Sequence, residues 1–287
     1  MFQKEWEVLI VDDEPDMVTV TRLALKNVKV YGVPLKLHFC ASKAEALELL
    51  NTKGEYAPVL AVALIDVVME TDTAGLDLCK SIREERRNQL TQLFIRTGQP
   101  GTAPEREVVD RYDINGYFTK AEATDDKLYS MIKSGVRQYY WSIFTLRIFT
   151  TMGNVSSLLG SRAAISALLQ NGLNQAFHDR SGKVVASYTN MNFSYIFGDE
   201  VVANAGWSEQ TALSTRDRLD QLEGLPLSPS GKYVINENNQ LLIRVSPGKG
   251  NSYAYIVATV AFQVPDFVPT VLGAALTSQA AIWYASA

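Results

Sequence analysis

The chain has 287 residues, 47% hydrophobic and 20% charged, which is enough for two domains with real cores and argues against wholesale disorder. A net charge of −4 and the lack of any basic cluster of five or more exclude an electrostatic case for nucleic-acid binding. The isolated Cys40 and Cys79, each in apolar surroundings, and an acid-bearing N-terminus with no apolar leader segment predict buried reduced thiols in a cytoplasmic protein.

Glu7 to Val11 reads as a short apolar strand running into Asp12-Asp13-Glu14-Pro15. Pro15 suits a first helical turn and the acids suit the positive end of a helix. Val20, Leu23, Ala24 and Val28 follow helical spacing, and Leu35 to Cys40 alternates like a strand near a sheet edge. Ser42 to Glu45 has capping-box spacing ahead of a second helix. Ala61 to Ile65 then runs straight into Asp66, as in a strand buried on both faces. A carboxylate there could be reactive, or could serve as the N-cap of the next helix. A loop through Asp72 and Gly75 leads to a helix over Leu76 to Ile82. Leu93 to Ile95 forms a fourth strand ending at Arg96-Thr97-Gly98; Thr102 to Glu105 caps a helix near Val108; Gly116 to Thr119 forms a fifth strand ending at Lys120.

Strands and helices alternate five times in about 125 residues, the pattern of a doubly wound α/β parallel sheet. Right-handed crossovers place every strand's C-terminus on one edge, so Asp12, Asp13, Asp66, Thr97 and Lys120 are expected to converge. Independent helix caps do not explain that set. Three carboxylates within a few ångströms cannot all stay ionised without a counter-charge, and Mg²⁺ supplies one. The expected ligands are Asp13, Asp66 and the backbone carbonyl of Val68, with Asp12 acting through water. Asp66 is then the nucleophile that forms an acyl phosphate, Lys120 pairs with a phosphoryl oxygen, and the Thr97 hydroxyl donates to another.

This array resembles the receiver domain of two-component response regulators, over about residues 5 to 125. The resemblance implies a flavodoxin-like sheet of order 2-1-3-4-5. It maps the acid pair onto Asp12 and Asp13, the phosphoacceptor onto Asp66, the switch hydroxyl onto Thr97, the lysine onto Lys120 and the switch aromatic onto Tyr117. It also implies a histidine kinase or phosphotransfer protein as partner in a phosphorelay. The chain departs from the family where Ala121 replaces the proline after the lysine, where Glu70 replaces the proline after Met69, and where Gly75 falls one residue late. The segments 66–71, 96–101, 104–108 and 112–115 resemble a subgroup in which a GAF-like domain follows the receiver and larger members add an HD-GYP cyclic-di-GMP phosphodiesterase. Neither an HD-GYP pattern nor a GGDEF run occurs in this sequence, so no output enzyme is expected here, only self-phosphorylation and dephosphorylation of the receiver. An alternative is a regulatory fragment of a cyclic-di-GMP enzyme, with the C-terminal domain sensing a ligand. An aspartate-based phosphatase is disfavoured because Val68 stands where its second Asp would be.

The expected domains are a receiver at 1–125, a helical connector at 126–160 and an α+β GAF/PAS-like domain at 161–287. The apolar stripe from Leu128 through Phe149 suits either homodimer pairing or packing on a downstream domain. Ser161 to Phe177 reads as a helix and 183–188 as a strand after a turn at 179–182. Residues 232–235 and 241–245 form a hairpin, and Tyr253 to Phe262 a further strand. Trp207, Arg216 and Arg218 fall in an expected crossing loop that often closes over a ligand in such folds, although such residues are more often ordinary surface and core positions. Val268 to Ala287 is uncharged but interrupted by polar residues, which predicts a buried or dimer-forming helix rather than a membrane span.

Overall fold

The computed structural model describes residues 5–52, 60–98, 105–122, 124–156, 161–177, 191–227, 231–246, 252–261 and 263–286. Two compact units divide between Ile143 and Phe144. The cap expected from Thr102, the turn at 179–182, the strand at 183–188 and most of the turn at 246–251 lie outside the described residues.

In the first unit the order is β1 (Trp6–Val11), α1 (Pro15–Ala24), β2 (Lys29–Val30), β3 (Val33–Cys40), α2 (Lys43–Thr52), β4 (Leu60–Asp66), α3 (Ala74–Lys80) with a π-helical turn at Ser81–Glu85, β5 (Gln92–Thr97), α4 (Glu105–Tyr112), β6 (Gly116–Thr119) and α5 (Asp125–Ser156). The strands lie in the order β2-β3-β1-β4-β5-β6. The pairs β3–β1, β1–β4, β4–β5 and β5–β6 are parallel, giving the expected flavodoxin-like order. Strand β2 was not anticipated. It folds back on β3 through Tyr31 (φ 53°) and Gly32 (φ 76°), two left-handed residues that make a tight hairpin.

Alternation along the central strands assigns side chains to the two faces. Leu9, Val11, Ala63, Ile65, Leu93 and Ile95 join one buried cluster with Leu78, Cys79 and Val108 of the flanking helices. Val62 and Phe94 point the other way, where a Cβ on Gly135 of α5 would lie 2.7 Å and 2.9 Å from them. That close approach requires a glycine in α5. Leu128, Ile132, Val136 and Tyr139 form the buried stripe of the same helix at spacings of three and four. The helix runs on to Ser156, and its residues from Phe144 belong to the second unit. Both cysteines are free and buried, and burial pushes their thiols up to about 11 for Cys40 and about 12 for Cys79, which keeps them protonated and unreactive.

The second unit contains α6 (Arg162–Phe177), β7 (Asn192–Phe197), β8 (Glu200–Ala205), α7 (Glu209–Asp220), β9 (Leu225–Leu227), β10 (Gly231–Ile235), β11 (Gln240–Val245), β12 (Ala254–Thr259) and α8 (Phe267–Ala285). Its sheet is antiparallel with order β8-β7-β12-β11-β10-β9. The β10–β11 hairpin forms as expected, and the helix read over 161–177 and the final helix also form. The expected crossing loop does not. Arg216 and Arg218 lie in α7, whose N-cap Ser208 accepts from Thr211 N–H at 3.2 Å. Strong polarity hid this helix: Ala212, Thr215 and Leu219 are its buried residues, a narrow stripe. Trp207 stands just before it, and its indole donates to Ser194 Oγ at 2.6 Å inside the fold. On one face of the sheet Ala212 and Leu219 pack with Ile196, Leu242 and Val257. On the other face Gly273 of α8 comes close to Leu227, Ile243 and Val245. Helix α6 lies along the outer side of β8. There the Gln170 side chain donates to Asn204 O and accepts from Asn204 N–H, both at 2.9 Å, and the Ser166 hydroxyl donates to Val202 O at 2.6 Å. Among the described residues, no helix is long and apolar enough to cross a membrane.

Candidate functional site

The site lies at the carboxyl edge of the parallel sheet. Asp12 follows β1, Asp66 ends β4, Thr97 ends β5 and Lys120 follows β6, so strand direction alone brings four distant positions together. Asp12 and Asp66 are almost fully buried, Asp13 is exposed, and carboxylate oxygens of all three lie within 4.8 Å of one another. The Lys120 ammonium donates to Asp66 Oδ2 at 2.6 Å, to Glu14 Oε1 at 2.7 Å and to Asp12 Oδ1 at 3.3 Å. Asp66 Oδ1 is buried and has no hydrogen-bond partner among the described residues. An orphaned buried carboxylate oxygen beside two further carboxylates fits a hard divalent cation, whose preferred ligands are such oxygens and water.

Electrostatics agree with the geometry. Burial raises the Asp66 pKa above its ordinary value; the Lys120 hydrogen bond offsets part of the rise and the Asp12 charge adds to it. Burial pulls the Lys120 pKa down, but hydrogen bonds to Asp66 and Glu14 more than restore it, and the net direction is upward. Lys120 is thus favoured as a cation, and the ionised form of Asp66, disfavoured by burial, would gain from a second positive charge.

Three local devices hold the edge in shape. Gly75 N–H donates to Val67 O at 3.0 Å, and a Cβ there would sit 1.8 Å from Asp66 O, so this position in the first turn of α3 needs glycine. Glu70, where the family has proline, accepts from Lys43 N–H at 3.0 Å and ties the loop after Asp66 to the start of α2. Glu122 accepts from the Thr119 N–H at 2.8 Å and from its hydroxyl at 2.9 Å, closing the turn around Lys120 where Ala121 replaces the family's proline. Those contacts hold the Glu122 pKa below its ordinary value, the backbone hydrogen bond first. At α2 half of the expected capping box forms: Ser42 Oγ accepts from Glu45 N–H at 3.2 Å, while the Glu45 carboxylate accepts from Ala41 N–H at 2.8 Å, one residue before the cap.

Thr97 is buried beside this cluster, and Val68 lies half-buried in the loop after Asp66. Tyr117, in β6, is partly buried against the core cluster that holds Val108 and Ile114. Two partners escaped the sequence reading. Glu14 was read as a helix-dipole acid, yet its side chain is the second carboxylate on Lys120. Arg96 was read as a strand end, yet it is 1% exposed and donates from Nη2 to Asp12 Oδ2 and from Nη1 to Thr21 Oγ1, both at 2.6 Å. The signal was available: an arginine inside a strand buried on both faces requires a buried acceptor.

Residues 8–133 match the family model described as response regulator receiver domain, so the first unit carries a receiver domain. Over 137 residues the chain is 44% identical to the 3'3'-cGAMP-specific phosphodiesterase 2 of Vibrio cholerae. That match takes in 48% of this chain, which spans about a quarter (26%) of the relative's length. Among solved structures, the receiver of an HD domain-containing protein from Pseudomonas fluorescens Pf-5 aligns with TM-score 0.42 and 18% identity, covering 50% of this chain and 94% of that one. An adenylate cyclase from Rhodopirellula baltica aligns with TM-score 0.42 and 17% identity, covering 51% of this chain and 98% of that one. The phosphodiesterase corrects one expectation. The chain was read as having no enzymatic role beyond the receiver's own phosphorylation and dephosphorylation, but a relative that shares its receiver sequence is a named hydrolase.

Proposed function

We propose that the chain is a response regulator that accepts a phosphoryl group on Asp66 from a histidine kinase or phosphotransfer protein. The observation that carries this reading is the Asp66 side chain itself: Oδ2 is held by Lys120 at 2.6 Å, while Oδ1 is buried beside Asp12 and Asp13 and unpartnered among the described residues. In this reading Asp13, Asp66 and the Val68 carbonyl hold Mg²⁺, with Asp12 acting through water, and the ion supplies neutralisation of phosphoryl oxygens. Asp66 attacks phosphorus as an ionised carboxylate; its O–P bond forms as the N–P bond of the donor's phosphohistidine breaks, and the donor imidazole leaves with the electron pair. Lys120 releases Oδ2 to the incoming phosphoryl group and binds one of its oxygens as a point charge. The Thr97 hydroxyl donates to another oxygen. The new group adds roughly −1.5 to −2 charge at the sheet edge, and Thr97 and then Tyr117 shift toward it. The output passes through α5 (the connector at 126–160) and a regulatory GAF/PAS-like domain at 161–287, to a homodimer or partner contact. The antiparallel sheet with a helix on each face supports that assignment of the second unit.

Incubation with acetyl phosphate and Mg²⁺, read by intact mass, is expected to add one phosphoryl group to the wild type and none to Asp66→Asn. Labelling that persists in Asp66→Asn would move the acceptor elsewhere.

A second reading is favoured by the 44% identity to a 3'3'-cGAMP-specific phosphodiesterase over the receiver. Here the receiver and the domain after it regulate cyclic-dinucleotide hydrolysis, with the second unit as ligand sensor. Hydrolysis of 3'3'-cGAMP and cyclic-di-GMP by the native reading frame, with and without beryllofluoride, tests it. Turnover that ignores beryllofluoride would count against control by the receiver.

A further inference from the structure

Both oxygens of Asp12 are already engaged within the fold, which leaves it to act on a cation only through water. Its Oδ2 accepts from Arg96 Nη2 at 2.6 Å, and its Oδ1 accepts from Glu14 N–H at 3.0 Å and from Lys120 at 3.3 Å. The arginine that holds it is among the largest fully buried side chains of the protein, and its second arm is fixed to Thr21 of α1, itself fully buried. Arg96 pairs in register with Asp66 across β4–β5 and precedes Thr97 in the chain. One guanidinium therefore joins α1, the acid pair and the strand that carries the hydroxyl.

The charges make the consequence specific. Among the described residues, four carboxylates meet at this edge (Asp12, Asp13, Glu14 and Asp66) and two protein cations answer them, Lys120 and Arg96. One divalent cation brings the cluster to neutrality. Without Arg96 the cluster would carry a further negative charge, and a released Asp12 oxygen would face the ion.

We propose that Arg96 is a positioning residue of the phosphoacceptor site, one that withdraws Asp12 from the cation as an internal ion pair and leaves Asp13 and Asp66 as the carboxylates that hold it. The arginine thereby weakens the cation's grip to that of a two-carboxylate site, the number typical of Mg²⁺ bound reversibly with most of its water. Its arm to Thr21 also fixes the backbone immediately before Thr97, so that the hydroxyl is held by the same group that sets the site's charge. The functional consequence rests on Asp66 being the acceptor; the cation consequence does not.

The test is Mg²⁺ affinity by isothermal titration calorimetry on the full chain, with circular dichroism as the fold control. Arg96→Met keeps length and removes charge, and it is expected to bind Mg²⁺ about tenfold tighter or more, the direction set by adding one negative charge at a few ångströms. A structural role alone would leave affinity unchanged or lower it, and either result in a folded variant overturns the proposal. Arg96→Lys keeps the charge but loses the fork that bridges Asp12 and Thr21, and is expected to stay within about threefold of wild type. Should Arg96→Met not fold, the double variant Arg96→Met/Asp12→Asn removes both charges together and carries the test. Its affinity should stay within about threefold of wild type, whereas a tenfold loss would make Asp12 a ligand and sink the idea. Acetyl phosphate labelling run in parallel separates the two readings. Failure to label the wild type defeats Asp66 as acceptor, while the Mg²⁺ titrations still judge Arg96.

Discussion

Each unit places an aspartate among basic side chains, and the two are settled differently. Asp220, at the end of α7, accepts from Arg244 Nη1 at 3.0 Å and 3.3 Å, from Lys232 Nζ at 3.1 Å and, weakly, from the Tyr255 hydroxyl at 3.5 Å. Both of its oxygens are partnered. Asp66 is more deeply buried and, among the described residues, has one cation on one oxygen and keeps the other unpartnered beside acids. Cations outnumber the acid at Asp220, whereas acids outnumber cations at Asp66. A saturated carboxylate is a structural pin. A buried carboxylate in deficit stores unfavourable energy that a metal ion or a phosphoryl group can relieve, which is why perturbed groups mark working sites.

Substitutions at the two sites should separate sharply. The largest effect is expected from Lys120→Met, which leaves both Asp66 and Glu14 without their cation. It should cost about 2–3 kcal/mol in urea denaturation without metal, below the usual figure for a broken buried pair because Asp66 can take up a proton. Added Mg²⁺ should recover much of that loss, and no recovery would mean that the cluster does not bind the ion. Asp220→Asn should cost about 1–2 kcal/mol, the scale of partly exposed charged hydrogen bonds, and Mg²⁺ should leave that figure untouched. A Mg²⁺-dependent loss there would erase the distinction between the two sites.

The smallest effect has the opposite sign. Because the folded pKa of Asp66 is raised, the unfolded chain binds fewer protons than the folded one between the unfolded value and that raised value. Stability should therefore fall as pH rises through this window without metal. Asp66→Asn should remove that decline and be more stable than wild type at neutral pH, and Mg²⁺ should narrow the difference. Denaturation midpoints measured from pH 4 to 8, with and without the ion, check the sign. A wild type that gains stability across the window would mean that Lys120 outweighs burial.

The first unit was legible because its chemistry sits where strands end. Apolar runs terminating in Asp12, Asp66, Thr97 and Lys120 announce a shared edge, and topology does the rest. What escaped was pairing rather than position. Nothing in local spacing ties Arg96 to Asp12, 84 residues away, or Glu14 to Lys120, 106 residues away. The hairpin at Tyr31-Gly32 escaped because tyrosine gives no warning of a left-handed turn. In the second unit, β10, β11 and β12 were legible as apolar runs between turns, with β12 shorter than read. Helix α7 was lost because charge dominates its surface, and β7 and β8 because Asn192, Ser194 and Asn204 break their apolar runs. Ser194 and Asn204 do not disrupt the sheet, because the Ser194 hydroxyl donates to Asn204 Oδ1 at 2.6 Å and that amide donates to Trp207 O at 2.6 Å.

The amide of Gln170 on β8 has a consequence for how this protein can meet others. An open sheet normally ends in a row of unsatisfied peptide groups that invite another chain to add a strand, in recognition or in aggregation. Here one end is occupied by a side chain that copies a peptide's donor and acceptor. The opposite end is a three-residue strand with Pro226 at its centre, which has no N–H to offer. A sheet blunted at both ends does not recruit by extension. Contacts of the second unit with other proteins should therefore fall on its helices and loops, and the apolar run of β12, flanked by β11 and β7 in the interior of the sheet, stays out of reach of amyloid-like stacking while the fold is intact.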